Sequence, residues 1–172
     1  DGSLILAEKK YEVNGEKCFY FSELFLECRA PLSQKSKLDI VTRAVDQVAK
    51  KYYGDEDAQK KMEIKDIICN ELEEQGEIKV SELREKVFPG SPEMLEELDE
   101  KLDRYNLSYE TVAPKNEQTI KKFQKQKLYT DTGIEITIPM EEYRNPDHVE
   151  FITNMDGTIS VLIKNIGMLS SK

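Results

Sequence analysis

With one histidine and three cysteines in 172 residues, the chain has few of the side chains that hold transition metals. Cys18, Cys28 and Cys69 contain no CxxC spacing and leave an odd thiol over. That pattern argues against a disulfide framework or a structural zinc site and fits the cytoplasm. His148 stands in "PDHVEF" beside Asp147 and Glu150. A facial triad wants two histidines, so the expectation is a solvent-facing histidine at a strand edge and no metal. The sequence also lacks a phosphate-binding P-loop, GxGxxG, HExxH and GxSxG, so no cofactor is expected and no enzyme. No apolar run comes near the ~18 residues of a membrane span, and no signal peptide is visible, so no membrane partner is expected. Internal repeats and low-complexity tracts are missing as well.

What the chain does have is charge. Charged residues make up 34% and hydrophobic residues 38%, with both signs mixed, which describes a folded protein with a solvated surface. The chain opens on "DGSLILAEKK" without an initiator methionine, which suggests a piece of a longer protein.

Hydropathy patterning divides the chain into a β entry (1–32), a helical middle (33–128) and a β end (129–172), forming one α+β module. Asn14-Gly15 separates two strand-like runs and marks a hairpin, and the run continues through "SELFLECRAPL" until Pro31 stops it. The aromatic cluster "CFYFSELFL", Cys18 to Leu26, reads as core, with a homodimer edge as the alternative.

About five helices come next. Leu38, Val41, Val45, Val48 and Tyr52 make one apolar stripe ending at Gly54, and Met62, Ile64, Ile67, Ile68 and Leu72 make another ending at Gly76. Ser81 is the expected N-cap of a short helix that buries Leu83, Val87 and Phe88. Ser91-Pro92 opens the next, with Leu95, Leu98, Leu102 and Tyr105 inward. A last helix is expected from about Asn116 to Leu128. Ile134, Ile136 and Ile138 then share one strand face, and a hairpin about Asp156-Gly157 closes the chain.

The net charge of −9 is unevenly spread. Residues 54–104 hold 17 acids and 8 bases, so the remainder is neutral on balance. Within that remainder, residues 115–127 carry five lysines against Glu117. On the expected helix, Lys121, Lys122 and Lys125 cluster opposite Ile120 and Phe123. Two readings of this face are open: a solvated surface paired with the acids near Glu96, Glu97, Asp99, Glu100 and Asp103, or a phosphate-contacting surface. Lys115 flanks it, and Lys50 and Lys51 form a second candidate patch. The helix pair around Gly76 has the length of a helix-turn-helix, but Glu82 and Glu85 on its second helix would repel phosphates, so packing is the expected role. The acids of "GDEDA" (Gly54 to Ala58) need no site, since the first turn of a helix favours them.

The segments "FYFSELFLECRAPLSQKSK", "GEIKVSELREKVFPGSPEMLEEL" and "APKNEQTIKKFQKQKLYTDTGIEITIP" together resemble the later part of the bacterial nucleoid-associated protein family of the roughly 37-kDa type. The resemblance implies cytoplasmic association with the chromosome and no catalysis, in a chain missing its N-terminal half. It carries no binding residues across, so the lysines above rest on charge alone. Net acidity opposes DNA binding by the piece as a whole. A local basic patch, the missing half, or a bridging protein would each resolve the conflict. The expected partner is double-stranded DNA, bound with weak sequence preference; the alternative is a protein-interaction or homodimerisation module with no DNA contact.

Overall fold

The computed structural model describes residues 8–13, 16–26, 31–54 and 57–170. The chain falls into two compact units, Asp1–Ser33 and Gln34–Lys172.

In the first unit, β1 (Lys10–Val13) and β2 (Glu16–Phe19) pair antiparallel in a register running from Lys10↔Phe19 to Val13↔Glu16. The Asn14-Gly15 turn lies outside the described residues. The strand does not continue as expected. Tyr20–Phe25 instead form a π-helical turn, closed by the Leu26 N–H donating to the Phe21 carbonyl at 2.9 Å. The Glu8 carboxylate accepts from the backbone N–H groups of Phe21 and Ser22, both at 3.2 Å, which satisfies donors that a strand partner would otherwise have to meet. Winding also stacks the Phe21 and Phe25 rings, with centroids 5.4 Å apart. Tyr20, Phe21, Phe25 and Leu26 are exposed, so this cluster is not the buried core that its composition suggested.

The second unit is built on four helices. α1 (Gln34–Tyr53) buries Leu38, Val41, Ala44, Val45, Val48 and Ala49, while Tyr52 stays outside with the Lys51 ammonium over its ring. α2 (Ala58–Glu74) starts where the Asp57 carboxylate accepts from the Lys60 N–H at 2.9 Å. It ends before Gly76, whose φ of +70° suits the residue just past a helix. The two-residue strands β3 (Ile78–Lys79) and β4 (Thr111–Val112) pair antiparallel. That pairing explains why Ser81 is not the cap of α3 (Val80–Val87). The Val80 N–H already donates to the Glu110 carbonyl at 3.1 Å, so the helix leaves the strand directly. α4 (Pro92–Asp103) starts after Ser91 with proline in its first turn; it buries Met94, Leu98 and Leu102, and Tyr105 lies exposed beyond its end. Leu83, Phe88 and Leu107 complete one core between the helices. Each such large side chain contributes about 1.5–3 kcal/mol on burial.

The remaining elements are short: α5 (Glu117–Lys121), β5 (Lys125–Tyr129), β6 (Glu135–Pro139), α6 (Met140–Tyr143), β7 (Val149–Thr153) and β8 (Ile159–Ile163). β5 pairs with β6, and β7 pairs with β8 across the Asp156-Gly157 hairpin. Met62 of α2 anchors a second cluster with Ile138 and Val149, against which Leu128, Ile136, Phe151 and Val161 pack. α2 is thus a wall shared by the helical core and the hairpins. Ile134 lies exposed before β6 and takes no part in that cluster. The fold class is α+β, with antiparallel hairpins at the C-terminal side.

The helix expected from Asn116 to Leu128 is overturned. α5 stops at Lys121, and Lys125 to Tyr129 is a strand. The apolar residues after Ile120 are Phe123 and Leu128, and a gap of five leaves no helical stripe. As a strand, the segment directs Gln126 and Leu128 partly inward and Lys125, Lys127 and Tyr129 outward, with Leu128 opposite Ile136.

Candidate nucleic-acid interface

The lysine-rich segment begins beyond β4, where Pro114 is buried and Lys115 is exposed. Asn116 caps α5, its side-chain oxygen accepting from the Gln118 N–H at 2.8 Å. Lys121 and Lys122 therefore sit at the C-terminal end of that short helix, where positive charge is favoured. Two bonds to α2 fix the residues just beyond it. Lys65 donates from Nζ to the Lys125 carbonyl at 2.6 Å, and Gln124 donates to the Glu73 carboxylate at 3.1 Å. A third comes from the hairpin side, where the Met140 N–H donates to the Gln124 carbonyl at 2.9 Å. The backbone of the segment is thereby held at the junction of α5 and β5.

Its side chains are held much less. Lys115, Lys121, Lys122, Lys125 and Lys127 are all exposed. Lys121 approaches Glu117 at 3.6 Å, an exposed pair of the kind that contributes little. The side chains of Lys115, Lys122, Lys125 and Lys127 form no ion pair with the described residues. The geometry differs from the expected single helical face: Lys121 and Lys122 close a helix, while Lys125 and Lys127 share the outward face of a strand. None of them pairs with the acids of α4.

Lys50 and Lys51 separate in the same way. Lys51 donates to Glu97 of α4 at 2.5 Å, and that hydrogen bond raises the Lys51 pKa and lowers that of Glu97. Lys50 instead lines a cleft with Lys61 and Lys65 of α2. The pattern of α2 drew attention to its isoleucines and hid these two lysines, although their spacing of four in "KMEIK" already put them on one helix face.

Several other cations of this unit are tied down. Arg84 of α3 lies 2.8 Å from Asp99, and Lys86 lies 2.5 Å from Glu71. Both belong to the helix that a helix-turn-helix would send into a groove. Arg144 joins α6 to α2 through Asp66 at 2.5 Å and Glu73 at 2.9 Å, and the hydrogen bond from Arg144 holds the Glu73 carboxyl below its usual range. Beneath this pair, burial pushes the Cys69 thiol up to about 11, which makes it a poor nucleophile. His148 precedes β7 with Nδ1 2.5 Å from Glu142, half-exposed. Among the described residues no group of three or more metal-ligating side chains converges. No helix among them is long and apolar enough to cross a membrane.

A family model described as nucleoid-associated protein YejK matches residues 4–168. The chain belongs to that nucleoid-associated family. The match spans all three segments that carry the resemblance in the sequence. Comparison with curated proteins and with solved structures finds no match. For a nucleoid-associated protein of net charge −9, the surface of interest is the one where positive charge is left open. Residues 115–127 are such a surface.

Proposed function

We propose that this nucleoid-associated chain binds double-stranded DNA in the bacterial nucleoid, without catalysis, by placing Lys115, Lys121, Lys122, Lys125 and Lys127 against the phosphate backbone. The observation that carries the reading is the openness of these lysines. All five are exposed, and a weak contact with Glu117 is the one acidic partner among them within the described residues. Ammonium groups on a fixed backbone neutralise phosphates and release counterions, which makes binding salt-dependent. Phosphate contacts carry no base information, so sequence preference is weak.

Fluorescence anisotropy of a short duplex tests this. Charge reversal of Lys121, Lys122, Lys125 and Lys127 should abolish binding at low salt, while unchanged affinity would remove the segment from the interface.

A second reading, a self-associating or protein-binding module, draws on the apolar surface at the end of the chain. Leu162, Ile163, Ile166, Met168 and Leu169 are all exposed. Light scattering across a concentration series distinguishes the two readings: a mass that rises together with absent duplex binding favours the module.

A further inference from the structure

Among the described residues β8 pairs with β7 and with no other strand. The pairing leaves half of its backbone groups over. At one end of the ladder the Lys164 N–H donates to the His148 carbonyl, and at the other the Asn154 N–H donates to the Thr158 carbonyl, both at 2.8 Å. Bonded pairs alternate along antiparallel strands, so Ser160 and Leu162 also turn their N–H and C=O toward β7. Ile159, Val161 and Ile163 therefore turn theirs the other way, where no described residue meets them. An open edge of this kind is ordinarily guarded by charge or proline. β1, β2, β5, β6 and β7 each carry at least one charged residue, whereas β8 carries none, in a chain that is 34% charged. Ile159 and Ile163 are half-exposed, and Val161 between them packs against the Met62 cluster.

We infer that the open edge of β8 is an interface with a second copy of this chain, the two β8 strands pairing antiparallel about a two-fold axis at Val161. That pairing deepens the self-associating reading above, on which it rests, by naming its surface and its partner. The occupant of this edge has to be an uncharged strand, and β8 is itself one. Pairing about Val161 sets Ile159 opposite Ile163 of the second copy and Val161 opposite its own counterpart, so the outward N–H and C=O of each residue find partners. The ends agree as well. Asp156 at the hairpin tip of one copy comes beside Lys164 at the far end of β8 in the other, which places opposite charges together. Between those ends no like charges meet, although each chain carries a net charge of −9.

Sedimentation equilibrium of the 172-residue chain over a concentration series tests the inference with two double variants. In Ile159→Lys/Ile163→Lys, lysine stands opposite lysine at both ends of the paired strands. In Ile159→Lys/Ile163→Glu, lysine stands opposite glutamate at both ends. The first variant should dissociate, and the second should associate about tenfold more tightly than the first. Both replace the same two half-exposed isoleucines by charged residues, so a general loss of structure would not separate them. A wild-type chain that associates while the two variants behave alike, both associated or both dissociated, overturns the pairing and leaves the self-associating reading standing. A wild-type chain that stays monomeric throughout the series removes that reading and the pairing with it.

Discussion

Two charged regions of this protein carry lysines in opposite circumstances. Between residues 54 and 104, Lys60, Lys79, Arg84, Lys86 and Lys101 each meet an acid, at distances from 2.5 to 3.6 Å. Between 115 and 127, five lysines stand exposed, and Glu117 is the acid that approaches one of them. The first region accounts for the whole net charge of −9, yet it turns few of its cations outward unpaired. Formal charge therefore does not describe the surface that a partner would meet. What a polyanion meets is the charge left after internal pairing, and by that measure an acidic protein presents a basic edge.

The contrast can be broken at its support. Leu102, fully buried in the helical core, holds α4 beneath the acidic surface. Leu102→Ala should cost about 2–5 kcal/mol in denaturant unfolding and disturb both regions together. Charge reversal at Lys122, Lys125 and Lys127 sharpens the contrast instead. It should leave stability nearly unchanged, and the slope of log affinity against log salt should shrink by about 0.9 for each phosphate contact removed.

Smaller effects are expected from the ion pairs. Arg144→Ala removes two bonds to α2, but its partners are about one-third exposed, so the loss should be about 1 kcal/mol. That loss has a pH signature. Because the Arg144 bond holds the Glu73 carboxyl below its ordinary 4.5, the stabilisation is present above that value and fades as pH falls through the lowered one. Unfolding curves of wild type and Arg144→Ala should accordingly converge in acid and separate at neutral pH. Lys86→Gln breaks an exposed pair with Glu71 and should change stability by less than about 0.5 kcal/mol, with duplex affinity unaltered.

The sequence showed the helical stripes of α1, α2 and α4, the glycine after α2 and the closing hairpin, because each depends on residues within one or two turns. It failed where a distant partner decides. Residues 125–129 are a strand because β6 pairs with them and Leu128 finds Ile136, neither of which a local period reveals. Ser81 lost its capping role because the Val80 N–H donates to the carbonyl of Glu110, 30 positions further along the chain. The π-helical turn at Tyr20–Phe25 rests on Glu8, again outside the local window. The candidate surface was half legible. Composition marked the lysines of 115–127, but their partners, and the gathering of Lys50 with Lys61 and Lys65, appear once α1, α2 and β5 are brought together.

The central claim is that open charge, and not the count of charges, decides contact with DNA. Its most direct test measures duplex affinity at two salt concentrations for two variants of equal charge change: Lys122→Glu/Lys125→Glu/Lys127→Glu, and Lys60→Glu/Lys79→Glu/Lys86→Glu. The account predicts that the first variant loses binding and salt dependence while the second keeps both. Equal losses in the two variants would contradict it, because binding would then follow net charge alone.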